Sequence, residues 1–417
     1  MTARIPLLVT IAALGVGLTL ATGGPGFAGA TPDHHTSFAF QSSGFGSRVK
    51  GGQVPVESST TSYQHIGCTD LAGRTKTNDV ADATVPGLGT VSGVKTHTWT
   101  SMKHGVAAAH STHSIAELTL ASSGVGSLTI DAIHSLSKAF HDGSGFHSTT
   151  STTVGDITFT PTTGPVQTFP APTPNQPVTI PGLATVTLGR SGGHHGALGA
   201  SASAEALLVD VVATGTKVKI AHTHAAIGGG LTSGIFRGHA NATRVVKALT
   251  DLAHSGPQPL VLMGCLGTRG HRVTTSVARV EVGGQLVVSG LSSSERSSQD
   301  PRGHGFERAS IARINLGKGQ LVVNGIVGRA TVAQSAHGLV RSAKGTRLGS
   351  IRAGGKQLTF PKTGVLEIPG VATLERRVVS RSATGLKVVA LRITLLDGSG
   401  AVINLGEAKL QIHRLSH

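Results

Sequence analysis

Long stretches of the chain alternate apolar with polar residues. In ERASIARINLGKGQLVVNGIVGRATVAQS, Ile311, Arg313 and Asn315 alternate with Ala312, Ile314 and Leu316, and Gly317-Lys318-Gly319 then turns the chain into a second apolar run. A period of two on both sides of a glycine turn is a β-hairpin signature. TGLKVVALRITLLDGSGAVINLGEAKLQIHRL repeats it near the C-terminus, with LDGSG as the turn. Few windows keep a helical stripe. HSIAEL and TRVVKALTDLAH are the best candidates, and the first yields to the strand reading of its second copy. The expectation is an all-β protein of antiparallel, sandwich-like domains, with an elongated stack of paired strands as the alternative.

The pattern also recurs. Arg48-Val49 lines up with Arg244-Val245, and Cys68 with Cys265. Val85 to Thr100 resembles Val280 to Glu295, and SIAELTLASSGVGSLTI from Ser114 resembles SIARINLGKGQLVVNGI from Ser310. Asp156 to Phe159 then matches Gln357 to Phe360, IPGLATVTL from Ile180 matches IPGVATLER from Ile368, and Val211 to Ala213 matches Val388 to Ala390. Seven matches in order predict two tandem homologous domains, 36–232 and 233–417. The first copy is longer because of Thr160 to Pro177 and Arg190 to Ser203, read as exposed loops added to the scaffold.

Composition narrows the core. One Trp, one Tyr and three Met leave it to Val, Leu, Ile and Ala, and 58 glycines without a three-residue period fit frequent turns, not collagen. The opening MTARIPLLVTIAALGVGLTLATGGPGFAGA has a basic start, an apolar stretch and the small-residue site Ala28-Gly29-Ala30, so residues 1–30 read as a secretory signal peptide. No later segment qualifies as a membrane span. A secreted or envelope-associated protein without a sorting signal or lipobox is expected, in a compartment where disulfides form.

Charge divides the copies. Residues 31–230 hold 10 Lys and Arg against 11 Asp and Glu, whereas residues 231–417 hold 25 against 9, so anionic partners should meet the second copy. Fourteen of the 21 histidines fall in residues 31–230, a half that would turn cationic in mild acid if they keep ordinary pKa values.

The signal sequence, GSRVKGG, the isolated Gly-Cys, IPGLATVTL and VDVVATGTKVKIAHTHAAIGG together resemble the choice-of-anchor P family of actinobacterial secreted or surface proteins. The resemblance implies an exported protein whose relatives carry differing surface anchors. It transfers no activity onto particular residues.

Candidate chemistry is sparse. In KVKIAHTHAAI, His222 and His224 sit two apart on a strand, where both imidazoles share a face. With His194 and His195 from the neighbouring insertion, and Glu205 or Asp210 as oxygen ligands or ring-orienting groups, they form a candidate zinc or copper site. The second copy near Leu391 to Leu395 has no histidine, which confines such a site to the first. There is no HExxH, G-x-S-x-G elbow or phosphate loop in a strand-turn-helix context. A non-enzymatic protein without a cofactor is the leading expectation, and a metal-binding protein or metal-dependent enzyme the alternative.

The dispersed basic residues suit anionic cell-envelope polymers, with Arg269, Arg272, Arg376, Arg377 and Arg381 as the candidate contacts. Phe306 is nearly alone as an aromatic among them, so no specific nucleic acid is expected. Asn241-Ala242-Thr243 fits a glycosylation sequon. Cys68 and Cys265 occupy equivalent positions. They either pair as an inter-domain disulfide closing a loop of almost 200 residues, the leading reading, or stay as two buried free thiols copied by duplication.

Overall fold

Alternating sequence becomes strand almost everywhere in the computed structural model, which describes residues 33–50, 61–85, 89–122, 124–212, 215–247, 258–282 and 286–415. The signal-like residues 1–30 lie outside that set. So do residues 248–254 of the second helical candidate, whose Thr243 to Lys247 belong to a strand.

The first half contributes β1 (His34–Lys50), β2 (Gln64–Ala72), β3 (Thr75–Val85), β4 (Gly89–Lys103), β5 (Val106–Ser122), β6 (Gly126–Asp142) and β7 (Gly145–Thr153). It continues with β8 (Ile157–Pro161), β9 (Gln167–Phe169), β10 (Val178–Ile180), β11 (Ala184–Leu188), β12 (Ser191–Gly196), β13 (Gly199–Val211) and β14 (Thr216–Gly228). The second half contributes β15 (Gly234–Lys247), β16 (Gln258–Leu262), β17 (Val273–Val282), β18 (Leu286–Ser298), β19 (His304–Leu316), β20 (Leu321–Ser335) and β21 (Gly338–Ser342). It closes with β22 (Ile351–Ala353), β23 (Lys356–Leu358), β24 (Val365–Ile368), β25 (Ala372–Arg381), β26 (Gly385–Leu395) and β27 (Val402–Arg414).

These strands form four antiparallel sheets, two in each half. Sheet I runs β2-β1-β14-β13-β11-β10, and sheet III runs β16-β15-β27-β26-β25-β24. Sheet II runs β3-β4-β5-β6-β8-β9, and sheet IV runs β17-β18-β19-β20-β22-β23, with β7 and β21 as matching side branches on β6 and β20. The second half therefore repeats the strand order of the first. Its one departure is β12, which pairs β13. Arg190 to Ser203 is thus the greater part of a β-hairpin extending sheet I and not a loop; Thr160 to Pro177 carries the short strand β9 and a Thr173–Gln176 bridge.

Each half packs its two sheets over one bulky core. Ile115, Leu118 and Ile130 of sheet II meet Val186, Leu207 and Ile220 of sheet I. Ile311, Ile314 and Val323 of sheet IV meet Leu374, Leu391 and Leu405 of sheet III. Each such side chain stabilises the fold by about 1.5–3 kcal/mol on burial.

The period of two is interrupted within the long strands. Along β19, Ile311 and Ile314 are both buried while Ala312 and Arg313 are exposed. Cross-strand pairing skips one residue at the same level on successive strands, as at Ala206 and Ala221 in sheet I and at Ala390 and Gly406 in sheet III. Ala221 and Gly406 adopt φ of 54° and 66°, and this left-handed turn of the backbone reverses which face the next residue occupies. Crowding at that level requires small residues: a Cβ on Gly406 would meet the backbone nitrogen of Gly328 in the facing sheet at 3.2 Å.

Register corrects two of the sequence matches. Glu205 faces His222 as Val389 faces Glu407, so Val388 corresponds to Ala204, not to Val211. The second-half counterparts of His222 and His224 are Glu407 and Lys409, not residues of the Leu391 to Leu395 segment.

A disulfide joins Cys68 to Cys265, with Cα atoms 5.2 Å apart. Around it Ala39, Leu231, Ile235, Leu266 and Leu415 form a junction cluster drawn from both halves. The Arg237 guanidinium donates to the Cys68 carbonyl, a second tie across the junction.

Candidate anion-binding surface

Arginines converge on the outer face of sheet IV. Arg308 alternates with the buried Glu307 and Ala309, and Arg329 with the buried Gly328 and Ala330, so both guanidinium groups leave the core. They face each other in register across β19 and β20. On one side Arg308 faces Ser294, whose hydroxyl accepts from Arg272 Nη2 at 3.2 Å. On the other side Arg347 bridges to Val327, two residues before Arg329. Burial, and then the charges of Arg272, Arg347 and Arg329, lower the Arg308 pKa. None of these four arginines forms an ion pair with a described carboxylate.

The row continues into a cleft between the Ser342–Ser350 segment and β25. One part, of about 550 Å³, is lined by Arg347, Arg376, Arg377 and Phe360, with Arg376 over the Phe360 ring at 5.6 Å. The next part, of about 560 Å³, shares Thr346 and Arg377 and adds Arg341, Lys344 and Arg381. The nearby Glu375 is paired with Arg392 at 3.4 Å. The Arg329 guanidinium lies 4.3 Å over the Phe306 ring, which fixes its orientation.

Four of the five arginines expected from sequence therefore lie on this surface: Arg272 in the row, and Arg376, Arg377 and Arg381 in the cleft. Arg269 lies apart, at the junction of the halves, and donates to the Leu198 carbonyl at 3.3 Å. Arg308, Arg329, Arg341, Lys344 and Arg347 were not anticipated. Arg308 and Arg329 each lie eight residues outward from the Leu316–Leu321 pair that closes the hairpin, so counting from that pair would have matched them.

The equivalent face of the first half carries a stack of rings, with Lys138 beside it, in place of the arginine row. Trp99 faces His110 as Arg296 faces Phe306. Trp99 stacks between His97 and His110, with both pairs of centroids 4.5 Å apart. Burial, then Lys138 and His97, lower the His110 pKa to about 4. Burial also lowers His65, His97, His113, His134, His222 and His224. These histidines do not keep ordinary values, and mild acid adds less charge to this half than its histidine count suggests.

The four candidate metal ligands are not brought together. His222 and His224 alternate with the buried Thr223 and Ala225 and share one face of β14. His194 and His195 lie on β12, two strand spacings (about 10 Å) from β14 with β13 between, and their registers fall at Ala226 and Ile227, two and three residues farther along the strand than His224. His222 is stacked on Phe45 at 4.8 Å, and its Nδ1 is 3.9 Å from Glu205, a carboxylate already held by Lys219 at 2.6 Å. Asp210 is 3.5 Å from Lys217. No group of three or more His, Cys, Asp or Glu is arranged to hold a metal among the described residues.

No protein-family model matches the chain, and no curated protein or solved structure shows significant similarity to it. Among the described residues no helix is long and apolar enough to cross a membrane.

Proposed function

We propose that this is an exported, non-catalytic protein of the cell envelope, built from a duplicated β-sandwich, that holds linear anionic polymers on its second half. The observation that carries the reading is the row from Arg272 through Arg308 and Arg329 to Arg347, charged alike and without carboxylate partners. Like charges directly opposite on neighbouring strands destabilise a sheet. Keeping four such groups unneutralised makes sense where an external anion supplies the missing charge. A polymer fits better than a small anion, because the row passes into the cleft of Arg376, Arg377 and Arg381 without interruption by acid. Arginine forks suit phosphate and carboxylate alike, and the scarcity of exposed rings disfavours base stacking.

The resemblance to the choice-of-anchor P family and the signal-like first 30 residues support the envelope location. Co-sedimentation of the intact protein with purified walls, before and after removal of their anionic polymers, tests the reading. Binding should require those polymers and fall as salt rises; equal retention on stripped walls would overturn it.

A further inference from the structure

We propose that a trough at the junction of the two halves binds amphiphilic monoanions, an alkyl chain ending in a carboxylate. The trough has a volume of about 440 Å³, within the range of small-molecule sites. Its floor is the end of sheet I, where Ala226 and Gly228 of β14 lie beside Ser201 and Gly199 of β13. The wall comes from the second half, where Cys265, Leu266 and Arg269 line the trough and Leu266 packs over Gly228.

The duplicated architecture shows what makes this space. Gln41 faces Ala226 on β1 and β14, and the equivalent pair on β15 and β27 is Arg237 and Gln411. Ala39 faces Gly228, and the equivalent pair is Ile235 and His413. In the second half long side chains occupy these positions, with Arg237 reaching the Cys68 carbonyl. In the first half Gly228 and Ala39 admit Leu266 and Cys265 of the second half, Leu266 packing directly on Gly228, and the small Ala226 beside them leaves the remaining room open.

Chemistry selects the occupant. The floor and wall are mainly apolar or glycine backbone, which suits methylenes. Arg269 is the one fixed cation on the lining; it donates to the Leu198 carbonyl and forms no ion pair with a described carboxylate. Its φ of 54° is left-handed, a strained conformation for a residue with a Cβ. His194 also lines the trough and leaves it no acidic group to repel a carboxylate.

Calorimetric titration of the intact, oxidised protein with octanoate, decanoate and dodecanoate at about 0.15 M salt tests the proposal. Affinity should rise about two- to fourfold per added methylene. The neutral 1-decanol should bind about tenfold more weakly than decanoate, and Arg269→Gln should erase that difference. Ala226→Gln, which installs the second-half residue, should abolish binding of all three acids. Replacing Arg272, Arg308, Arg329 and Arg347 by glutamine should leave it intact, which separates this site from the polymer surface. Absence of binding up to the solubility of dodecanoate, or binding indifferent to both Arg269→Gln and Ala226→Gln, would overturn the proposal.

Discussion

Arg308→Gln should make the protein more stable and a poorer binder at the same time. Arg308 faces Arg329 in register, and Arg272 and Arg347 also lower its pKa, so its charge is opposed from several sides. A like-charged pair directly opposite across strands costs about 0.2–1 kcal/mol. Glutamine keeps much of the stem that covers the sheet and removes the charge. The expected gain is therefore about 0.5–1 kcal/mol at low ionic strength, shrinking by more than half near 0.5 M salt as the charges are screened. Denaturant unfolding of wild type and variant at the two salt concentrations reads this directly. Polyanion affinity should fall, with the slope of log Kobs against log salt reduced by about one unit for the lost contact. A variant that is less stable than wild type at low salt, or that binds polyanion unchanged, would refute the claim that these charges strain the fold in favour of a ligand.

Three further variants probe the interior. Glu307 faces Glu295, both are buried, and burial and then the Glu295 charge raise the Glu307 pKa well above the ordinary range. A raised folded-state pKa gives stability present at low pH and lost as pH rises through that value, so Glu307→Gln should raise the melting temperature at pH 7–8 and change it little near pH 4. Glu407 behaves oppositely. Burial alone would raise its pKa, but bonds from His239, Asn404 and Lys387 together with the Lys387 charge bring it down to about 2. Its contribution, roughly 3 kcal/mol at one pKa unit per 1.36 kcal/mol, should be present at neutral pH and disappear between about pH 4.5 and 2; Glu407→Gln should remove that acid limb from a pH–stability curve. The disulfide spans 197 residues, so replacing Cys68 and Cys265 by serine should cost up to about 5 kcal/mol. Calorimetry would show that loss, with both bulky cores still formed.

Strand content and duplication were legible because alternation and glycine turns are local signals, and the two copies supported each other. Cys68 and Cys265 were legible for the same reason: two thiols at equivalent positions of the copies have no other cysteine to pair with. Register was less so. The Val211 match slipped by seven positions because the strands rise and fall in repeated Val and Ala, and only pairing shows that Val388 lies where Ala204 does. The reversals at Ala221 and Gly406 also escaped, since a left-handed alanine leaves no composition mark. His222 and His224 were placed on one face by spacing alone, but whether His194 and His195 approached them depended on β13 lying between, a tertiary fact. Arg308 and Arg329 looked dispersed because twenty residues separate them; the hairpin makes them neighbours.

The most direct test of the polymer surface is the salt dependence of binding between the intact protein and a poly(glycerol phosphate) of fixed length. Wild type and a variant with Arg272, Arg308, Arg329 and Arg347 all replaced by glutamine should be compared from about 0.05 to 0.5 M salt, since each neutralised phosphate adds nearly one unit to the slope of log Kobs. The account predicts a variant slope shallower by about three to four units, with the fold and the disulfide unchanged. Identical slopes in the two proteins would contradict it and leave the arginine row without a ligand.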